Sequence, residues 1–315
     1  MKIVYSAGNR PSSQRCLIEL LNRISAKHTV KIAGWYQQTN LIPNISWTLD
    51  SLDNIELRSE TLAKLKQDIL EFAPDLIISD GELYLAKIAT ELNITSWCVS
   101  SLWLYPGLKW EYNQLSYLAQ LEELDKFLTK FPESLKLIYS PFGDISMRPI
   151  LQEGYQWVTP FSHSQTPTKA EVPIVYVEES SRAKVLLPLL ENLKLDIPNL
   201  VITSSFEEYL KELNRANWCL ISGETHVVAE AIYHQKSICV IPNLKDWESI
   251  LNAILIRSYS FGQDLGQAEL MEKYAPFEFL RSYRSRLLNP NYLSVQAKPT
   301  LDKLIEDFSN ILEKK

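Results

Sequence analysis

The sequence has few of the residues that build metal sites or disulfide frameworks. Its four cysteines, Cys16, Cys98, Cys219 and Cys239, lie far apart, none in a CxxC pair, and three fall in apolar runs. That argues against a zinc ribbon or a disulfide scaffold and predicts buried free thiols in a reducing compartment. The four histidines, His28, His163, His226 and His234, show no zinc-ligand spacing. No GxxxxGK[ST] phosphate loop, GxGxxG fingerprint or GxSxG elbow is present. No stretch reaches the ~18 apolar residues of a membrane span. The opening MKIVYSAGNR has too short an apolar run for a signal peptide. A basic excess is also lacking: the net charge is −6 and the pI about 5.4. An acidic balance gives no general attraction to nucleic acid or anionic lipid. The expectation is a soluble cytoplasmic protein with no nucleic-acid partner.

What the sequence does hold is length and alternation. Its 315 residues suffice for two ordinary domains, and 46% hydrophobic with 22% charged residues is a globular balance. Short apolar runs predict strands at 2–6, 29–35, 75–79, 94–99 and 136–140. Helix-period segments fall at 12–25, 61–72 and 82–92. Residues 102–133 read as one long helical stretch. Its aromatics, Trp103, Tyr105, Trp110 and Tyr112, fit either the core or the wall of an acceptor-binding pocket. Residues 159–173 hold three prolines with several Ser and Thr, the best linker in the chain. Alternation then resumes, with strands at 174–178, 199–203, 218–222 and 237–241. Helices are expected at 181–193, 205–213, 225–234, 246–256, 276–287 and 299–313. Strands alternating with helices predict an α/β protein of parallel sheets covered on both faces. Two Rossmann-like domains, 1–160 and 161–315, would face each other across a cleft.

Open α/β sheets bind ligands beyond the carboxyl ends of their strands. In "LISGETHVVAEAIYHQKSICVIPN" an apolar run stops at Ser222-Gly223-Glu224-Thr225 and a helical stretch follows. Such a helix start offers N–H groups and a positive dipole end to an anion. Glu224 suits the dipole but repels phosphate. His226 offsets it if protonated, or is a surface or capping residue.

"ISGETHVVAEAIYHQKSICVIPN" followed by "DWESILNA" resembles the donor segment of GT-B nucleotide-sugar glycosyltransferases. The likeness is to the branch holding the glucosaminyltransferase that makes lipid II and small-molecule glucosyltransferases. Gly223 matches the first glycine of that pattern, Glu230-Ala231 its Glu-Ala, Pro242 its strand-end proline and Asn252-Ala253 its Asn-Ala. Glu248 matches the first residue of its Glu-Gln pair. Glu224 stands where the second glycine is usual, and Ser249 where the glutamine is. "PDLIISDGE" is similar to the family's "PDLVISD", and "SAGNRPSSQRCL" occupies the place of its glycine-rich loop. The specific motif spans about 35 residues, within an architecture that covers the chain.

The resemblance implies a diphosphate held without metal or other cofactor at the helix start, by Gly223, Glu224, Thr225 and His226. It implies ribose hydroxyls on Glu230, with a solvated helix face as the alternative, and donor-sugar hydroxyls on Glu248, with Ser249 beside it as a further donor-binding position. Where the family carries a basic His, aligning Arg15 with its Arg puts Ser12, which is also a natural N-cap. Asp80 or Glu82, at a strand end, is the other candidate base, with an N-cap role the alternative for Asp80. Asn9 and Arg10 join Trp103 and Tyr105 as acceptor-side candidates. The implied activity is transfer of a sugar, with a UDP-sugar the expected donor, to an unidentified small-molecule, glycan or lipid-linked acceptor. Two rivals remain at this point: a non-catalytic binding module of the same fold, and a nucleotide-sugar 2-epimerase.

Overall fold

The computed structural model describes residues 1–7, 24–34, 45–48, 59–80, 83–107, 117–131, 135–140, 142, 155–158, 172–176, 199–243, 246–258, 261–264 and 310. They form two wholly parallel sheets. The first runs β3-β2-β1-β4-β5-β6-β7, from β1 (Lys2–Ala7), β2 (Thr29–Gly34), β3 (Ile45–Thr48), β4 (Leu76–Asp80), β5 (Ser96–Ser100), β6 (Leu135–Tyr139) and β7 (Tyr155–Val158). The second runs β12-β11-β10-β8-β9, from β8 (Val172–Tyr176), β9 (Val201–Thr203), β10 (Ala216–Ile221), β11 (Ser237–Val240) and β12 (Gly262–Asp264).

Both orders reverse once, and the reversals locate the crevices. In the first sheet the chain leaves β1 toward β2, then returns to β4 on the other side of β1. In the second it leaves β8 toward β9 and returns to β10. Each reversal parts two neighbouring connections, so the crevices open beyond the carboxyl ends of β1 and β4, and of β8 and β10. Asp80 ends β4, with its backbone in register with Val99. The Ser222–Glu224 turn follows β10.

Strands buried on both faces read as unbroken apolar runs. Leu76, Ile77 and Ile78 of β4 and Cys219 of β10 are fully buried, and Leu220 and Ile221 nearly so. The helices are α1 (Ser59–Phe72), α2 (Leu83–Glu91), α3 (Leu118–Leu128), α4 (Phe206–Leu213), α5 (Thr225–Tyr233) and α6 (Trp247–Ser258). All but α3 agree with their predicted positions within about two residues at each end. Ser205 caps α4 by accepting the Glu208 N–H at 3.4 Å, with Glu207 and Glu208 in the first turn. Ser205→Ala is expected to cost about 1 kcal/mol in urea denaturation, because that N–H then loses its partner.

Three expectations change. The stretch 102–133 is not one helix: a 3-10 helix at Ser101–Gly107, whose last two residues are Pro106 and Gly107, precedes α3. The proposed linker gives up its last two residues to β8. Strands β3, β7 and β12 were not foreseen. The helix expected at 12–25 lies outside the described residues except for its helical end at 24–25, as do 181–193, 276–287 and all of 299–313 but residue 310. Among the described residues, no helix is long and apolar enough to cross a membrane.

Candidate donor site

The turn after β10 is built by the start of α6. Ser249 Oγ accepts the Gly223 N–H at 3.1 Å and the Asn243 N–H at 2.9 Å. One hydroxyl therefore ties together the loops that follow β10 and β11. Asn252 Nδ2 donates to Gly223 O at 2.8 Å and to Thr225 Oγ1 at 3.0 Å. Glu248 Oε1 accepts the Thr225 N–H at 2.8 Å. Positions 248, 249 and 252 share one helix face, so all five of these hydrogen bonds come from one rigid element. Ser249 and Asn252 are fully buried. Ser249, in the place of the pattern's glutamine, holds backbone.

Gly223 is fixed by this packing. A Cβ there would meet the Ser249 carbonyl oxygen, its Oγ at 2.5 Å and its Cα at 2.8 Å. Only hydrogen fits between the turn and α6.

Glu224 is the N-cap of α5, with φ −63° and ψ 137°, and its side chain makes no capping bond. It is 3% exposed. Its carboxylate thus neither turns out to solvent nor covers the helix N–H groups. The anion at the start of α5 comes instead from Glu248, on a different helix. A carboxylate there satisfies an N–H that has no partner within its own helix and complements the dipole.

Helix α5 is buried along its length from Thr225 to Ile232. His226 is no surface residue: its ring meets Phe206 of α4 edge-on, centroids 5.0 Å apart. Glu230 is 1% exposed, which corrects the solvated-face alternative. His234 Nε2 lies 3.5 Å from Glu230 Oε2, one turn on. Tyr209 donates its hydroxyl to Val227 O at 3.0 Å. Burial, then Cys219 and Glu230 beside it, push the Tyr209 phenol well above its ordinary range, so it stays protonated and is no base. Burial likewise pushes the Cys219 and Cys239 thiols up. Cys98, Cys219 and Cys239 are buried and free, as expected, and the two raised thiols are poor nucleophiles.

On the N-terminal side, Ser12, Asn9, Arg10 and Glu82 lie outside the described residues, and only the backbone of Asp80 is described. Trp103 is a core residue rather than a pocket wall. It is 3% exposed, donates Nε1–H to Cys98 O at 2.9 Å and meets Phe131 edge-on. Tyr105 packs beside Tyr117, Leu121, Ile250 and Ile254, between the halves. Among the described residues, no cluster of three or more His, Cys, Asp or Glu could hold a metal ion.

Two parallel-sheet domains, each with its crevice at the strand-order reversal, define the GT-B fold. Solved structures of similar shape carry the same class of name. The spinosyn forosaminyltransferase SpnP superimposes with a TM-score of 0.67 at 16% identity, over 99% of each chain. The spinosyn rhamnosyltransferase SpnG gives 0.62 at 12% identity, over 100% of each. The Streptomyces sp. SF2575 glycosyltransferase SsfS6, complexed with thymidine diphosphate, gives 0.58 at 14% identity, over 100% of each. No protein-family model matches the sequence, and no curated protein matches it significantly.

Proposed function

We propose that the chain is a glycosyltransferase that takes a sugar from a pyrimidine nucleoside diphosphate sugar and transfers it to a small-molecule acceptor. The observation that carries this reading is the Gly223 turn. It sits at the chain reversal of the second sheet, opens α5, and has Glu248 poised at the helix start. Full-length likeness to glycosyltransferase structures supports it, and one of those holds thymidine diphosphate. Uridine and thymidine diphosphates are both candidate carriers. Two of the similar structures are spinosyn glycosyltransferases, which favours a small-molecule acceptor over a lipid-linked one.

In this reading the donor diphosphate takes the N–H groups at the start of α5, and the Glu248 carboxylate yields Thr225 N–H to it. Glu248 is then released to accept donor-sugar hydroxyls. Glu230 accepts the ribose hydroxyls. The developing charge on the leaving diphosphate is stabilised by the helix start, without a metal. Asp80 or Glu82 takes the acceptor hydroxyl proton, with Ser12 the remaining candidate, while Asn9, Arg10 and Tyr105 line the acceptor side.

Calorimetric titration with UDP and with dTDP tests the donor seat. Binding of at least one is expected. Glu230→Ala should weaken it roughly tenfold or more, the worth of hydrogen bonds to a charged group. No heat from either nucleotide at millimolar concentration would remove the donor site. Release of free sugar from a UDP- or dTDP-sugar then separates an enzyme from a binding module.

A further inference from the structure

Helix α6 has two working faces. Glu248, Ser249 and Asn252 brace the Gly223 turn. Trp247, Ile250 and Ile254, spaced i, i+3 and i+7, point the other way, into the N-terminal half. The Trp247 ring lies 4.8 Å from Phe127 of α3. Phe127 meets Phe131 edge-on at 5.1 Å, and Phe131 meets Trp103 edge-on at 4.9 Å. Trp103 is anchored to the first sheet through Cys98 O. Four rings in series thus run from β5 of one domain to the residue preceding Glu248 in the other.

A second tie runs beside it. Ile250 and Ile254 are buried in one cluster with Tyr117 and Leu121, and Tyr105 packs against it. The Tyr117 hydroxyl lies 2.7 Å from both carboxylate oxygens of Asp264 and donates to them. Asp264 ends β12, in register with Val240 of β11. Tyr117 therefore grips α6 with its ring and the neighbouring edge strand with its hydroxyl.

We infer that Phe127 and Tyr117 of the N-terminal domain are positioning residues for the donor site of the C-terminal domain, acting through α6. The inference rests on the donor seat proposed above. Packed interiors transmit displacement because they are close-packed and nearly incompressible. A shift of Trp247 is carried to Glu248 by one peptide unit, and to Ser249 and Asn252 by the same helical turn. The N-terminal domain thereby sets how well the start of α5 is organised, so events on the acceptor side reach nucleotide affinity without a shared ligand contact. Coupling of this kind is carried by contiguous packed side chains joined to a rigid element.

The test is nucleotide affinity, measured by calorimetry with whichever of UDP and dTDP binds the wild type. Phe127→Leu keeps apolar bulk and removes the ring contact. It should raise Kd about three- to tenfold, the range spanned by an aromatic pair. Tyr117→Phe removes the oxygen bonded to the Asp264 carboxylate and should raise Kd about two- to fourfold, a fraction of the roughly tenfold or more that a hydrogen bond to a charged group is worth, because this bond reaches the seat only through α6 and β12. Ile69→Val lies in a separate cluster with Val4, Leu65 and Phe72 and serves as the control. It should lower thermal stability with Kd unchanged. Phe127→Leu combined with Asn252→Ala should weaken binding by less than the product of the two single effects, because both act through α6. Wild-type Kd in Phe127→Leu and Tyr117→Phe, or a double variant equal to the product, overturns the coupling and leaves the donor seat standing. Absence of nucleotide binding by the wild type removes the donor seat and the coupling together.

Discussion

Gly223→Ala is expected to abolish nucleotide binding and to lower stability by about 1–3 kcal/mol, the usual range for forcing a group into a packed interior. The added methyl would collide with Ser249, and two of its three nearest contacts there are backbone atoms. Backbone cannot step aside by changing rotamer. Relief requires α6 to move off the turn, which breaks the bonds from Ser249, Asn252 and Glu248 together. Removing the Ser249 hydroxyl in the Gly223→Ala background should therefore restore little. Urea denaturation and nucleotide titration on both variants measure this. Full nucleotide affinity in Gly223→Ala would mean that the turn is not the donor seat.

Asn252→Asp is the sharpest single-atom change in the site. The side chain is fully buried, and its amide nitrogen donates to two oxygens. A carboxylate of the same shape would face the Gly223 carbonyl with no proton to give. A charged group buried without compensation costs several kcal/mol, so roughly 2–4 kcal/mol of stability should go at neutral pH. The pH dependence follows from linkage. Burial raises the folded-state pKa of the new carboxyl above its unfolded value of about 3.9. The folded state then holds the proton more tightly, so the deficit is largest above the folded-state pKa and shrinks as pH falls toward 4. Thermal unfolding of variant and wild type between pH 4 and 8 reads this directly. A deficit that stays constant or grows toward acid would show that Asn252 is not a buried donor.

Much of the site was legible as a motif, but little of it as a set of contacts. Gly223, Glu230, Glu248 and Asn252 stand at recognisable spacings, and 248, 249 and 252 mark one face of a helix. The spacing does not say what that face touches. Ser249 was visible only as a replacement for the pattern's glutamine, and it ties two loops. Asn252 was a marker of the pattern and proves to hold the turn. Glu224 drew attention as a carboxylate beside a phosphate seat, yet the carboxylate on the helix N–H belongs to Glu248, 24 positions on. Trp103 and Tyr105 were open between core and pocket because an aromatic-rich stretch has the same composition in either place. Trp103 proved to be core, and Tyr105 packs where the two halves meet.

The strands and helices were read because burial imposes periodicity on the chain. Parallel strands covered on both faces must be apolar throughout, and helices must keep one apolar face. Those are local demands, and the amino-acid sequence alone met them with runs such as LIISD and WCLIS. Other features have no local demand to display. Strand β12 is Gly262–Asp264, three partly exposed residues that are a strand because β11 offers them a ladder. The pairing of Tyr117 with Asp264 joins residues 147 apart in the chain. Which carboxylate reaches the start of α5, and which rings bridge the two domains, depends on where whole helices dock. Side-chain packing between distant segments decided that, and only the tertiary structure records it.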